Sequence, residues 1–321
     1  MASEESKRLM MFSGRSIPAL AHEIAGHLGI HLGKVELATF SSGEIYVRYL
    51  ESVRGAEVFA VQTLCEPIND YLVELLIMVD ALKRASAHRI SAVVPFYGYA
   101  RQDKKAAARE PITAKLIADI LMTAGINRLI TVDLHAGQIQ GFFNVPVDHL
   151  TGLPLLVDYF KEKNLENLVI VSPDVGRVKM AKKFSDRIGA TLAILHKSRP
   201  AHNVAEISHV IGEVEGRPCL VVDDMVDTAG TLASGAQALI EHGAKEVYAA
   251  ATHPVLSGPA IDRIAKSPIK ELVVLNTLPI AANKLIPKIK VVSIAQLFAE
   301  AIRNVYEDRS VSELFDGQNQ D

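Results

Sequence analysis

The stretch Cys219-Leu220-Val221-Val222-Asp223-Asp224-Met225-Val226-Asp227-Thr228-Ala229-Gly230-Thr231 joins a short apolar run to a turn of small residues. The apolar run reads as a buried parallel strand. Asp223 and Asp224 follow where that strand is expected to run out. Asp227 to Thr231 form the turn, and Leu232 to His242 has the composition of a helix. A strand, a tight turn and a helix in that order belong to a parallel α/β sheet. The turn presents free backbone N–H groups and the positive end of a helix dipole to whatever lies above the sheet.

Such a turn is a phosphate cradle. The carboxylates beside it repel phosphate, and they suit hydroxyl donors or a metal ion instead. A phosphate with vicinal hydroxyls nearby is a sugar phosphate such as ribose 5-phosphate. An acidic strand end followed by an ordinary helix cap is the plainer alternative. Three carboxylates ahead of a Thr-Ala-Gly-Thr turn count against it.

Working outward, the rest of the chain repeats the same rhythm. Strands are expected at 9–12, 35–38, 45–50, 57–62, 89–96 and 128–134, and helices at 17–28, 68–85 and from Pro111 to about 123. The second half reads as helix 152–163, strand 168–171, helix 177–188 and strand 191–196, then a polar loop 197–203. An antiparallel excursion at 206–211 precedes the opening stretch. Strand 246–252, helix 259–266, strands 271–275 and 290–293, and helix 295–305 follow. The fold class is therefore α/β, with two doubly wound parallel-sheet domains related by structural duplication. Their expected boundaries are 1–152 and 153–304, with the tail 305–321 packing on the first.

The chain has 321 residues, 49% of them hydrophobic and 22% charged, which suffices for two cored domains. A formal net charge of −3 gives no argument for nucleic acid. The two cysteines, Cys65 and Cys219, do not suggest a disulfide scaffold. Residues 1–8 do not read as a signal peptide. The most apolar helix, 72–82, carries Glu74 and Asp80 and is expected to be a core or interface helix rather than a membrane span. A cytoplasmic location follows by default. Neither a P-loop nor a dinucleotide fingerprint is present.

In such sheets ligands gather at the carboxyl ends of strands. Arg101, Gln102, His135, Asp174, Lys197 and Arg199 all stand after expected strands. Arg101, Lys104 and Lys105 beside Tyr97 and Tyr99 suit an anion site. His135 with Asp133, and Asp174 in the other half, suit a metal–phosphate site, with His135 on phosphate or on a metal-bound water. Lys197 and Arg199 lie in a basic loop of the kind that closes over transferring phosphates. Phe40 and Glu44 suit a purine, one by stacking and one by accepting from an amino group.

Phe40-Ser-Ser-Gly-Glu44, Tyr99-Ala-Arg-Gln-Asp-Lys-Lys105, Asp133-Leu-His135, Gln138-Ile-Gln-Gly-Phe-Phe143, Ser172-Pro-Asp174, Lys197-Ser-Arg199, Asp223 to Thr231 and Ser257-Gly-Pro259 occur in this order. Together they resemble the class I ribose-phosphate diphosphokinases, the synthetases of 5-phosphoribosyl 1-diphosphate (PRPP), over essentially the whole chain. The resemblance implies a type I phosphoribosyltransferase-like fold in each domain. It implies Mg2+-dependent transfer of the β,γ-diphosphoryl group of ATP to the 1-hydroxyl of ribose 5-phosphate, with release of AMP.

The resemblance also implies residue roles. Lys197 and Arg199 stabilise the transition state. Phe40, Ser42, Glu44, Arg101, Gln102 and His135 bind ATP, the first three from a neighbouring subunit. Asp223, Asp224, Asp227, Thr228, Ala229, Gly230 and Thr231 bind ribose 5-phosphate, the first two through its hydroxyls and metal. His135 and Asp174 stand at the metal positions. Ser52, Arg54, Ser310, Val311, Ser312 and Phe315 match a regulatory site for inorganic phosphate and ADP, in an allosteric homohexamer.

Two positions depart from the family pattern. Ser42 replaces the usual Asn or Asp. Arg177 replaces the second glycine of an Asp-x-Gly-Gly loop, where it either crowds the phosphates or adds a cation. Activity is expected to survive both changes. Three rivals share features of the sequence: a phosphoribosyltransferase that consumes PRPP, a non-catalytic regulatory homologue of the synthetase, and a ligand-sensing transcription regulator. The first does not need Arg101 to Lys105. The second tends to lose the basic loop. The third needs a DNA-binding appendage.

Overall fold

A computed structural model describes residues 8–201 and 204–315, with only the backbone described at 197–201 and 204–208. The chain divides into two compact units. The first takes residues up to Thr151, Thr277–Pro279 and the residues from Ser293 on, and the second takes Gly152–Asn276 and Ile280–Val292.

The first unit runs β1 (Leu9–Ser13), α1 (Pro18–Leu28), β2 (Val35–Thr39), β3 (Ile45–Tyr49), β4 (Glu57–Val61), α2 (Ile68–Arg84), β5 (Arg89–Val94), α3 (Thr113–Ala124), β6 (Arg128–Val132) and β7 (Val147–Leu150). Among the described residues its parallel sheet has the order β1-β4-β5-β6-β7, and β2 and β3 form a separate antiparallel hairpin. Successive strand residues face opposite sides. Phe12, Val58, Ala60, Ile90 and Ala92 join the apolar stripes of α2 and α3 in one core. The alternating Met11, Phe59, Val93 and Ile130 are equally buried on the other face. Period-two strands buried on both sides explain the near-continuous apolar runs.

The second unit runs α4 (Leu153–Glu162), β8 (Val169–Ser172), α5 (Val178–Ile188), β9 (Thr191–Ala201), β10 (Val204–Ile211), β11 (Pro218–Val226), α6 (Gly230–Glu241), β12 (Glu246–Pro254), α7 (Ala260–Lys266), β13 (Ile269–Leu275) and β14 (Ile289–Val292). Among the described residues the sheet order is β10-β9-β8-β11-β12-β13-β14. The chain moves from β8 to one side through β9 and β10, then resumes at β11 on the other side. That reversal opens a crevice between β8 and β11 at their carboxyl ends. Val169, Val171, Cys219 and Val221 pack with Leu232, Ala236 and Leu239 of α6 on one face. Helix α8 (Ala295–Tyr306) packs on α1 in the first unit. Ser293 Oγ donates to Glu23 Oε2 at 2.5 Å and Arg303 Nη2 to the His27 carbonyl at 2.9 Å.

Several boundaries differ from the sequence expectation. β11 does not end before Asp223. It continues to Val226 because β12 is equally long and pairs it through Asp223–Ala251, Met225–His253 and Val226–Pro254. The expected loop 197–203 begins as strand: β9 runs to Ala201 and pairs antiparallel with β10. Pro111 does not open α3. That helix starts at Thr113, where the Gln102 carbonyl accepts from the Ala114 amide at 3.1 Å and Gln102 Oε1 from Thr113 Oγ1 at 2.5 Å. β7 was not expected, since Asp148 and His149 interrupt its apolar character. α8 lies in the first unit rather than at the end of the second.

Candidate active site

In the second unit, β8 pairs β11 only through Cys219, Leu220 and Val221, and β8 ends at Ser172. Beyond Val221, β11 keeps β12 on one edge and continues past the end of β8 on the other. Asp223 and Asp224 lie on this continuation. Consecutive strand residues diverge, so a group that touches both must lie along the edge of the strand. Arg177 does so: Nη2 is 3.0 Å from Asp224 Oδ1 and Nε is 3.4 Å from Asp223 Oδ1. The expected alternatives were crowding and an added cation, and the side chain is placed as a cation on the two carboxylates. Asp223 Oδ1 also accepts from the Asp224 amide at 2.9 Å. Burial first, then Asp224, push the Asp223 carboxyl well above the usual carboxylate range, while Arg177 pulls it down.

Arg177 reaches this edge because the loop after β8 is fixed. Asp174 caps the short 3₁₀ turn Val175–Arg177, and its Oδ1 accepts from the Gly176 amide at 2.9 Å and the Arg177 amide at 3.2 Å. A Cβ on Gly176 would meet that same oxygen at 3.2 Å. Ser172 Oγ donates to the Asp174 carbonyl at 2.7 Å and fixes the loop from its other end.

The turn after β11 is equally braced. Ala229 has φ 55°, a left-handed conformation unusual for a residue with a Cβ, and α6 begins at the next residue. Ser257 Oγ donates to Asp227 Oδ1, and the Ser257 amide to the Asp227 carbonyl at 3.1 Å. Arg263 Nη1 donates to the Thr228 carbonyl at 3.0 Å. Held in this way, the amides of Gly230 and Thr231 open α6 with no side-chain cap. Thr228 and Thr231 are exposed and Gly230 half-buried. The Ser257-Gly-Pro motif supplies the serine, a support that its residue types alone do not reveal.

In the first unit, Phe40 is 54% exposed at the tip of the β2–β3 hairpin, beside Tyr46 at a ring distance of 5.7 Å. Ser42 Oγ donates to Glu44 Oε2 at 2.9 Å. After β5, the chain turns through Tyr99 at φ 65°, and the Gln102 amide donates to the Tyr99 carbonyl at 2.9 Å. Arg101 and Gln102 are exposed, whereas Asp103 is buried and accepts from Gln138 Nε2 at 2.7 Å. Asp103 therefore anchors the basic loop rather than contacting an anion. After β6, Asp133 has φ 38°. His149 on β7 accepts from the Leu134 amide through Nε2 at 2.9 Å, which sets the chain that carries His135. His135 itself is half-buried.

The regulatory candidates also lie in the first unit. Ser52 and Arg54 are exposed in the turn before β4. Ser310 Oγ and Ser312 Oγ are 2.8 Å apart, Asn304 Nδ2 donates to the Ser310 carbonyl at 3.0 Å, and Phe315 is buried. Val311 is half-buried, and its carbonyl accepts from the Leu314 amide at 3.2 Å. Arg89 lies 3.7 Å from Glu57 at the start of β4 and 3.6 Å from Asp308 in the tail, which links the two segments. The side chains of Lys197 and Arg199 lie outside the described residues. Burial pushes the thiols of Cys65 and Cys219 up to about 11, so neither resembles a nucleophile.

Among the described residues, no three carboxylate, histidine or cysteine side chains converge as a metal cage. Asp174 is a half-buried hard oxygen donor whose Oδ1 takes both backbone amides. Such a donor fits a cation that arrives with a phosphate chain and keeps several waters. No helix of the described residues is long and apolar enough to cross a membrane.

Comparison with known proteins accounts for this arrangement. Residues 9–125 match the model of the N-terminal domain of ribose phosphate pyrophosphokinase, and residues 201–316 that of the phosphoribosyl synthetase-associated domain. A ribose-phosphate pyrophosphokinase of Caldanaerobacter subterraneus is 58% identical over 308 residues, covering 96% of this chain and 98% of its own. That of Bacillus subtilis is 54% identical over 309 residues, with the same coverage. The crystal structure of phosphoribosylpyrophosphate synthetase from Mycobacterium smegmatis superposes with a TM-score of 0.89 at 48% identity, covering 94% of this chain and all of that one. A parallel α/β plan in both units, a braced turn at the start of α6 and full-length likeness agree: the chain belongs to the ribose-phosphate pyrophosphokinase family.

Proposed function

We propose that this enzyme makes PRPP by moving the β,γ-diphosphoryl group of ATP to the 1-hydroxyl of ribose 5-phosphate, releasing AMP. The observation that carries the reading is that β11 bears an acidic edge for a vicinal diol and leads, through a braced turn, directly into the N-terminus of α6, the place for a phosphate. The full-length likeness to ribose-phosphate pyrophosphokinases supports it.

Asp227 to Thr231 hold the 5-phosphate, with the α6 amides donating to its oxygens. Asp223 and Asp224 accept from the ribose hydroxyls. Arg101, Gln102 and His135 hold the ATP phosphates, and Phe40, Ser42 and Glu44 receive adenine and its ribose. Lys197 and Arg199 act on the charge that develops as the diphosphoryl group leaves AMP. Asp174 in one unit and His135 in the other, directly or through water, are each proposed as ligands of Mg2+, which would neutralise phosphate charge. The attacking hydroxyl needs only positioning and loss of its proton, since diphosphoryl transfer is governed by alignment and charge.

The family reading extends to a cytoplasmic homohexamer activated by inorganic phosphate and inhibited by ADP at Ser52, Arg54, Ser310, Val311, Ser312 and Phe315. The test is AMP release from ATP and ribose 5-phosphate with Mg2+, repeated with inorganic phosphate and with ADP. Diphosphate release from PRPP and a nucleobase, without AMP formation, would instead identify a phosphoribosyltransferase.

A further inference from the structure

Asp223 and Asp224 present two adjacent carboxylates on a largely buried strand. Such a pair is unstable without a cation, because each charge is desolvated and repelled by its neighbour. The chain provides that cation. Arg177 is 19% exposed, Asp224 5% and Asp223 26% as side chains, so the ion pairs are shielded from water. Its Nε addresses Asp223 and its Nη2 addresses Asp224. A planar guanidinium can serve two diverging carboxylates at once, whereas an ammonium is a single point of charge. The backbone amide of Arg177 is tied to Asp174, so the guanidinium is delivered to the strand edge from a fixed loop.

We propose that Arg177 is the built-in counter-cation of the Asp223–Asp224 edge. It bridges both carboxylates and aims them as acceptors for a vicinal diol, in the place a divalent cation would otherwise take. It is thus a positioning residue that sets specificity for the sugar. The diol assignment rests on the ribose 5-phosphate reading above; the counter-cation role does not.

Mn2+ binding, counted by electron paramagnetic resonance at pH 8 without nucleotide, tests the role directly. Arg177→Met is expected to bind one more Mn2+ per chain than the parent. Adding Asp223→Asn and Asp224→Asn to that variant should remove the extra ion. In kinetics at low free Mg2+, Arg177→Met should raise KM for ribose 5-phosphate by about tenfold or more, the scale of a lost charged hydrogen-bond partner. The loss should appear in that KM rather than in kcat, and added Mg2+ should recover part of it. Arg177→Lys should fall between parent and Met, and it serves as the probe if the Met variant is poorly folded.

An unchanged Mn2+ count in Arg177→Met, or a KM for ribose 5-phosphate equal to or below the parent's, overturns the proposal. Should the parent release no AMP while the Mn2+ count still rises by one, the function reading fails and the counter-cation role stands.

Discussion

His149 accepts the backbone N–H of Leu134 through Nε2 at 2.9 Å, and Gln140 lies 3.2 Å from its Nδ1. Because Nε2 is the acceptor, the neutral ring carries its proton on Nδ1. One buried imidazole on an edge strand therefore sets the backbone between Asp133 and His135, the latter proposed to hold the ATP phosphates.

Replacing His149 with leucine leaves the Leu134 amide buried without that acceptor. The cost is about 1–3 kcal/mol, and the thermal midpoint should drop accordingly. KM for ATP should rise several-fold while KM for ribose 5-phosphate is unchanged. A variant that loses stability but keeps its KM for ATP would reduce His149 to a purely structural residue.

Ser257 is the second unforeseen support. Its hydroxyl and its amide both hold Asp227 at the mouth of the turn proposed to bind the 5-phosphate. In Ser257→Ala only the backbone bond remains. Steady-state kinetics should show weaker binding of ribose 5-phosphate by several-fold, with ATP binding unaltered. Equal KM values in the two proteins would mean that the backbone bond alone suffices.

The Asp223 carboxyl is raised above its ordinary value by burial and by Asp224. The folded chain then binds this proton more readily than the unfolded chain. The group's contribution to stability is present at pH values below the ordinary carboxylate range and is lost as pH rises through the raised value. Asp223→Asn carries no such charge. Its thermal midpoint should exceed the parent's at pH 8, and the gap should close as pH falls toward about 4, the ordinary value for aspartate. Activity should be lost at every pH. A midpoint below the parent's at pH 8 would show that the Arg177 ion pair outweighs the cost of burial.

Lys197→Ala and Arg199→Ala should lower kcat by roughly 10²–10³-fold, the range for removing a group that acts on transition-state charge. Affinity for ATP should change far less. Single-turnover rates against direct nucleotide binding separate the two effects. Weakened binding with unchanged turnover would assign these side chains to the ground state.

Much of this architecture is visible in the sequence because its strands are short apolar runs with turn residues between them. Leu9, Val35, Ile45, Glu57 and Arg89 open strands where the pattern places them. Pairing partners are less visible. β11 outruns its expected end because β12 supplies a ladder beyond Asp223, and one strand's composition cannot report its neighbour's length. Pro111 resembles a helix start, but Gln102, nine residues earlier, decides where α3 begins. The loops at Asp133 and Asp227 are recognisable by residue type. Their braces are not, since His149 and Ser257 stand 15 and 30 residues away along the chain from the groups they hold. The direction of the Arg177 side chain likewise depends on a strand, β11, that comes more than forty residues later.

Beyond Val221, β11 outruns β8. An uncovered strand edge ordinarily invites another chain to add itself, the route to unwanted aggregation. Here the length beyond β8 is short and largely buried, lies within the sheet rather than at its margin, and carries two acids bridged by an arginine. An incoming strand would meet charge and the end of β8. On the proposed function, the same stretch serves a small polyol and refuses a peptide, a binding edge without a sticky border.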